Sequence, residues 1–203
     1  LSGLPLELID ERQKFDLDAF RQAFYKRVLG QPEAIEALVE RIAMVKAGVA
    51  DPKRPLGVFL FAGPTGTGKT EVARALAEIL FGDEERMIRL DMSEFTTPDC
   101  VDRLIGDADP ESSRKALVNQ IRHQPFSVIL LDEFEKSVVD VWDLFLQVFD
   151  DGRLTDRQGN TADFRNAIII LTSNVGAVAA REARPGFQHV EGSFREESIQ
   201  KTI

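Results

Sequence analysis

Apolar residues along this chain form short runs that alternate with longer stretches of helical periodicity. The segments that contain these runs are five residues long, which suits a strand and is too short for a helix. The predicted strands are residues 57–61, 87–91, 127–131 and 167–171. The predicted helices are residues 15–25, 32–47, 68–80, 98–104, 113–123 and 140–150, with a hairpin at 154–164. Strands that alternate with helices indicate an α/β fold with a parallel sheet covered on both faces.

The segment after the first predicted strand carries the strongest chemical signal. Residues 63–70 read Gly-Pro-Thr-Gly-Thr-Gly-Lys-Thr and match the phosphate-binding pattern G-x-x-x-x-G-K-[ST]. Its glycines let backbone N–H groups approach phosphate oxygens, and a helix that begins near Gly68 adds its positive N-terminal end. A chance glycine-rich turn is the alternative. The buried strand before the pattern and the amphipathic helix after it favour a nucleotide-binding loop.

This loop predicts the cofactors ATP, ADP and Mg²⁺. Lys69 is the expected contact to the outer phosphates, and Thr70 supplies the hydroxyl expected on Mg²⁺. The residues predicted to bind nucleotide along the loop are Pro64, Thr65, Gly66, Thr67, Gly68, Lys69, Thr70 and Glu71.

Two adjacent carboxylates, Asp132 and Glu133, follow the third predicted strand. Such a pair is costly to desolvate unless a cation or hydrogen bonds compensate its charge. Mg²⁺ would compensate it, with Asp132 holding the ion through water in the manner of a Walker B aspartate. Glu133, on the opposite side of the strand, would orient or deprotonate the water that attacks the γ-phosphate. An acidic pair that caps the next helix is the alternative.

Polar residues also end the fourth and second predicted strands, where a parallel sheet binds its ligands. Asn174 closes the segment Thr172-Ser173-Asn174. Its amide could hydrogen-bond both the γ-phosphate and the attacking water, although an asparagine that caps a turn is the alternative. Asp91 ends the second strand. A contact with Glu133 and an ordinary role in a turn are both open for this residue.

Composition narrows the class of protein. With 203 residues and 43% hydrophobic content, the chain can form one domain with a substantial core. A net charge of −9 disfavours a broad nucleic-acid surface. The single cysteine, Cys100, excludes an intramolecular disulfide and suits a reducing compartment. No membrane-length apolar run or secretory leader is evident. We therefore expect a soluble, cytoplasmic piece of a longer protein, with no nucleic-acid or membrane partner.

Taken together, these segments resemble the Clp family of AAA+ ATPases, and within it the large subdomain of the second ATPase module of the heat-shock unfoldases and disaggregases. The match runs from Val28 to Asn174 and includes the blocks VLGQPEA, RLDMSEF, PFSVILLDEFEK and DFRNAIIILTSN. The resemblance implies a P-loop NTPase three-layer sandwich, with Val28 and Leu29 at the adenine site and Asn174 as a sensor. It also implies a hexameric ring that couples ATP hydrolysis to pulling polypeptides through a pore, with a protease as a further partner.

Two features depart from that family pattern. Residues 106–113 read GDADPESS where an aromatic Gly-Tyr-Val-Gly-type pore loop is usual. Either the protein does not thread by this loop, or part of the loop is missing from this sequence. The arginine finger, fifth core strand and lid of the family lie beyond this chain, and Arg184-Pro185 comes too soon after Asn174 to be the finger. The fragment is expected to be weakly active, because loss of the finger costs about 10³-fold or more in rate.

We therefore expect three parts: an N-terminal arm and helix at 1–27, a nucleotide-binding core at 28–176, and a C-terminal segment at 177–203. The predicted catalytic residues are Glu133, Lys69 and Asn174. An ATPase module that remodels proteins in the full-length ring is the first hypothesis. A nucleotide-gated scaffold that assembles without threading is the second. The acidic balance disfavours a DNA-associated AAA+ protein, and Glu133, which suits a water nucleophile, disfavours a small-molecule kinase.

Overall fold

Helices and strands alternate along the described part of the chain. A computed structural model of the protein describes residues 15–64, 66–97, 99–106 and 116–174, so the predicted segment 177–203 lies outside these ranges. The helices are α1 (Leu17–Arg27), α2 (Pro32–Lys46), α3 (Lys69–Phe81), α4 (Cys100–Ile105), α5 (Leu117–His123) and α6 (Val139–Asp151). The strands are β1 (Gly57–Ala62), β2 (Met87–Asp91), β3 (Val128–Asp132), β4 (Arg153–Thr155), β5 (Thr161–Asp163) and β6 (Ile168–Ser173). Among the described helices, none has the length and apolar character of a membrane span.

Four parallel strands form the central sheet, in the order β1-β6-β3-β2. In the pairing of β2 with β3, Asp91 stands beside Asp132. In the pairing of β1 with β6, Ala62 stands beside Ser173. The carboxyl ends of all four strands therefore meet at one edge of the sheet. Strands β4 and β5 form a separate antiparallel hairpin. The parallel sheet confirms the α/β class predicted from the sequence.

Apolar side chains of β3 face two separate cores, one on each side of the sheet. Val128 and Leu130 belong to the core that contains α1, α2 and α3. Ile129 and Leu131 belong to the core that contains α4, α5 and α6. All four side chains are fully buried, and burying each one contributes roughly 1.5–3 kcal/mol. The uninterrupted apolar run of a doubly covered strand thus joins the three layers.

Helix α3 begins at Lys69, within the phosphate-binding pattern, and lies close to the sheet. Gly68 caps its start at φ 88° and Gly82 caps its end at φ 81°, both left-handed conformations that glycine adopts without a steric penalty. Ala73, Ala75 and Ala77 of this helix are fully buried. Their short side chains let the helix backbone approach the sheet, which fixes the helix N-terminus beside the end of β1.

The helix starts differ from the sequence prediction by one to four residues in every helix but α2, and α4 and α5 are two examples. Helix α4 begins at Cys100 after Asp99 as the N-cap, rather than at residue 98. Helix α5 begins at Leu117 because Ala116 is extended, with φ −60° and ψ 141°. The predicted helical residues 113–115 lie outside the described ranges. Helical periodicity marks the apolar face of a segment but not the residue at which its backbone turns helical.

Candidate active site

The glycine-rich loop leads from β1 into α3 and has the backbone conformations that its glycines permit. Gly66 (φ 83°) and Gly68 (φ 88°) are both left-handed. The Gly63 N–H donates to the Ser173 carbonyl at 3.1 Å, which ties the start of the loop to the end of β6. Thr65, also predicted to bind nucleotide, lies outside the described residues. The loop is thus a turn that any larger side chain at these glycines would strain.

Lys69 lies inside this loop rather than on its surface. The residue is 8% exposed, and its Nζ donates to Gly63 O at 2.6 Å, to Pro64 O at 2.9 Å and to Asn174 Oδ1 at 3.2 Å. Burial lowers the pKa of Lys69, while the negative charges of three nearby carboxylates act in the opposite direction. The ammonium group therefore lies where the loop, β3 and β6 meet.

Asp132 is the last residue of β3 and is held by groups from both neighbouring strands. Its Oδ1 accepts a hydrogen bond from Thr172 Oγ1 of β6 at 2.6 Å. Its Oδ2 pairs with Arg89 Nη2 of β2 at 2.6 Å. Besides the Mg²⁺ that the sequence predicts here, an arginine and a hydroxyl of the protein thus compensate the charge of this carboxylate.

Glu133 adopts a left-handed conformation, with φ 58° and ψ 48°, that is costly for a residue other than glycine. Its N–H donates to Thr172 Oγ1 at 3.0 Å. Its Oε1 accepts from Asn174 Nδ2 at 3.0 Å, and its Oε2 pairs with Lys136 Nζ at 2.5 Å. The left-handed turn ends the strand alternation at Glu133, and the carboxylate meets Asn174; its place on the opposite side of the strand stays a prediction.

Asn174 connects the two charged groups predicted to be catalytic. Its side chain accepts from Lys69 and donates to Glu133. This amide orientation is defined chemically, because an ammonium group can only donate and a carboxylate can only accept. The Asn174 N–H donates to Glu135 Oε1 at 2.9 Å. Glu135 Oε2 is buried without a hydrogen-bond partner among the described residues. The structure therefore brings together Lys69, Glu133 and Asn174, as predicted, and adds Glu135.

The segment predicted to line the adenine site lies beside the loop. Val28 is buried, whereas Leu29 is 87% exposed. The Gln31 side-chain amide donates to the Thr67 carbonyl at 2.7 Å. Just before this segment, Arg27 pairs with Glu71 of α3 at 2.9 Å. The structure places the segment against the phosphate loop, and contact of Val28 and Leu29 with a base stays a prediction.

The predicted magnesium ligands form a sparse set. Thr70 is in the first turn of α3, and Asp132 is at the end of β3. Within the described ranges, no group of three or more His, Cys, Asp or Glu side chains could hold a metal ion. A magnesium ion here would depend on phosphate oxygens and water for its other ligands, as is usual for this ion.

Of the two roles left open for Asp91, the structure shows the one in a turn, because its Oδ1 accepts hydrogen bonds from Ser93 N and Ser93 Oγ.

Sequence reasoning missed several partners of the predicted residues. Lys136 follows Glu133 at a spacing of three residues, a signal that was available along the chain. Arg89 reaches Asp132 from the neighbouring strand, so its role needs the register of β2 and β3. Gln31 and Glu135 contact backbone groups of the site, and sequence spacing indicates neither contact.

The chain is similar to one protein family and to several curated proteins. A family model described as AAA domain (Cdc48 subfamily) matches residues 54–203. The ATP-dependent Clp protease ATP-binding subunit ClpC of Staphylococcus aureus (strain USA300) is 46% identical over 207 residues, covering 100% of this chain and 25% of the relative. The protein of the same name from Staphylococcus epidermidis (strain ATCC 12228 / FDA PCI 1200) is 45% identical with the same coverage. The chain thus spans about a quarter of the length of these curated relatives.

Proposed function

The chain belongs to the AAA domain family (Cdc48 subfamily), as a Clp-type AAA+ module, and on that premise we propose that it binds ATP at residues 63–70 and hydrolyses it with water. The observation that carries this proposal is the Asn174 amide, which joins Lys69 of the phosphate loop to Glu133 at the end of β3. A phosphate-binding group, a candidate base and a polar sensor thus share one hydrogen-bonded cluster.

The loop fits the triphosphate of a nucleotide. Carbonyl oxygens of Gly63, Pro64 and Thr67 are held by protein donors. Oxygens so engaged leave the loop N–H groups and the N-terminal end of α3 to face an anion. The positive charge of Lys69 lies at the same place, and a phosphate would compete with the loop carbonyls for its ammonium group. We therefore propose that Lys69 binds the outer phosphates of the nucleotide.

The residues present also fit a magnesium ion bound with the nucleotide. Thr70 and Asp132 would hold it, Asp132 through water. When bound, magnesium would neutralise part of the negative charge of the phosphates. A carboxylate has about four lone-pair sites, so Asp132 retains acceptor capacity beside Thr172 and Arg89.

We assign Glu133 the role of orienting and deprotonating the attacking water. Its Oε1 accepts a hydrogen bond from Asn174. The Glu133 carboxylate and the Asn174 amide therefore lie side by side, where both could contact the attacking water. Lys136 holds the second oxygen of the carboxylate. The strained backbone of Glu133 is stabilised by Thr172, consistent with strain concentrated at functional positions.

For the full-length protein we propose a hexameric ring that uses ATP hydrolysis to unfold or remodel polypeptides. The support is the similarity to subunits whose name states that they bind ATP and belong to an ATP-dependent Clp protease, and the same name makes a protease partner part of the proposal. The cytoplasmic location expected from the sequence stays a prediction.

A scaffold that assembles on ATP without threading is the competing function. The lack of aromatic residues at 106–113 is its support, and residues 107–115 lie outside the described ranges. The hydrolytic set of Lys69, Glu133 and Asn174 argues against it, because a protein that only binds ATP does not need a positioned base.

The substitution Glu133→Gln in the full-length protein tests the hydrolytic role. We expect ATP affinity to be retained and turnover to fall by about 10²–10⁴-fold, the usual contribution of a general base. Glu94→Gln is the matched control, because Glu94 is an exposed acid paired with Arg103 away from the loop. Equal turnover in the two variants would remove Glu133 from the mechanism.

An unfolding assay separates the two functions of the ring. The full-length protein would be given a tagged, stable substrate and ATP while its hydrolysis rate is measured in parallel. Unfolding that stops in Glu133→Gln supports the motor. Hydrolysis without unfolding supports the scaffold or a motor that does not thread its substrate.

A further inference from the structure

A single side chain before α2 reaches the phosphate loop from outside it. Gln31 Nε2 donates to the Thr67 carbonyl at 2.7 Å across 36 residues of sequence. Gln31 occupies the N-cap position of α2, yet among the described residues its side chain makes no capping hydrogen bond to that helix. Its amide is therefore engaged with the loop and not with the helix that it precedes.

Two other carbonyls of the loop, those of Gly63 and Pro64, are held from within the loop and α3. Gly63 O and Pro64 O both accept from Lys69 Nζ. Pro64 O also accepts from Thr67 Oγ1 at 2.9 Å. Thr67 O is different, because its donor comes from the segment that also contains Val28 and Leu29. The orientation of this carbonyl thus depends on a residue outside the phosphate-binding pattern.

Because the peptide bond is planar, the hydrogen bond from Gln31 to the Thr67 carbonyl also sets the direction of the Gly68 N–H. In a trans peptide, the carbonyl of one residue and the N–H of the next point in opposite directions. With Thr67 O directed toward Gln31, the Gly68 N–H is directed away from it. Gly66 and Gly68 flank Thr67 at positive φ, and glycine reaches either sign of φ at little cost. A carbonyl rotated into the loop would meet phosphate with the wrong end of its dipole.

We propose that Gln31 is a positioning residue for phosphate binding, which holds the peptide between Thr67 and Gly68 with its N–H toward the nucleotide. The proposal rests on the nucleotide site proposed above. It also makes Gln31 a physical link between the adenine-side segment and the phosphates, since Gln31 lies two residues after Leu29.

The test compares ligands that share phosphates and differ in the base. Gln31→Met in the full chain keeps the length of the side chain and removes the donor. We expect the affinity for ADP to fall roughly three- to tenfold, as for one lost hydrogen bond. The affinity for inorganic pyrophosphate, measured by competition, should fall by the same factor because pyrophosphate has no base.

Two further variants complete the design. Gln31→Lys supplies a donor of similar reach and should bind ADP more tightly than Gln31→Met. Gln124→Met is the matched control, because Gln124 Nε2 donates to the Glu85 carbonyl at 3.1 Å in a different part of the chain. Its affinity for ADP should equal that of the unsubstituted protein.

Two results would overturn the proposal. One is unchanged ADP affinity in a folded Gln31→Met variant. The other is a loss for ADP with none for pyrophosphate, since Gln31 would then act on the base. If Gln31→Met melts below the assay temperature, the ADP affinity of Gln31→Lys is the deciding measurement. A tenfold loss of ADP affinity in Gln31→Lys would overturn the proposal. Failure of the nucleotide site itself has another signature, equal ADP binding by the unsubstituted protein and Lys69→Ala.

Discussion

Two clusters of the molecule are rich in polar contacts. The strand-end cluster consists of Lys69, Asp132, Glu133 and Asn174, and the hairpin cluster consists of Asp156 and Asp163. The hydrogen-bond partners in the two clusters lie at different distances along the chain. The Asn174 side chain meets Glu133 across 41 residues and Lys69 across 105. In the hairpin, Asp163 pairs with Arg165 two residues away, and Asp156 accepts from Asn160 four residues away. The first cluster needs the folded sheet, whereas the second is built locally.

This difference separates a site from a turn. The hydrogen bond from Asn160 lowers the pKa of Asp156, and the one from Arg165 lowers the pKa of Asp163. Both carboxylates are thus stabilised as anions by groups that close the hairpin. In the strand-end cluster, Glu133 has one local partner, Lys136, but its other partner, Asn174, follows β6. Asp132 is held by Arg89 of β2 and Thr172 of β6. Substitutions there should change chemistry, and substitutions in the hairpin should change local stability.

The largest effect in this comparison is expected for Asn174→Ala. Removing the amide breaks the connection between Lys69 and Glu133, and losing one preorganised donor typically costs about 10²–10³-fold in kcat. We therefore expect the ATP hydrolysis rate of the full-length protein to fall by about 10²-fold while ATP affinity changes less. Asn119→Ala on α5 is the control. Equal rates for the two variants would mean that the connection has no role in turnover.

An intermediate effect is expected for Thr172→Val. The hydroxyl of Thr172, a residue that is 1% exposed, joins the Asp132 carboxylate to the Glu133 N–H. Leaving such buried groups unsatisfied costs about 1–3 kcal/mol, which denaturant unfolding measures directly. Thr172→Ser keeps the hydroxyl and should recover most of this stability. A valine variant as stable as the serine variant would contradict the bridging role.

The smallest effect is expected for Arg165→Ala in the hairpin cluster. Its pair with Asp163 is largely exposed, with the two side chains 54% and 42% accessible. Exposed pairs contribute about 0–1 kcal/mol, so unfolding free energy should change by less than about 1 kcal/mol, with ATP hydrolysis unchanged. A large loss of hydrolysis would show that the hairpin is coupled to the strand-end cluster.

The same contrast explains how much of the site the sequence could predict. Residues 63–70 form a local pattern, so their spacing alone located the loop between β1 and α3. The apolar runs located the strand ends, and a parallel sheet then required Asp132 and Asn174 to lie near that loop. These inferences need only the period of a strand and the direction of a parallel sheet.

The unpredicted features depend on strand register and tertiary contacts. Arg89 meets Asp132 because Asp91 and Asp132 are paired, and this register is not encoded in spacing along one strand. The left-handed backbone of Glu133 is held by Thr172, 39 residues away. Intrinsic preference would place Glu133 in ordinary extended or helical conformation, so the sequence did not predict this backbone conformation.

The central claim, that the loop at residues 63–70 is the ATP site, is tested most directly by titrating ATP into Lys69→Ala. Lys53→Ala, at an exposed lysine before β1, is the control, and thermal melting verifies that both variants are folded. Truncating one partner of a buried, hydrogen-bonded charge contact costs about 2–5 kcal/mol. We expect Lys69→Ala to lose at least ~30-fold in ATP affinity, with Lys53→Ala unchanged. An ATP affinity in Lys69→Ala equal to that of the unsubstituted protein would contradict the account.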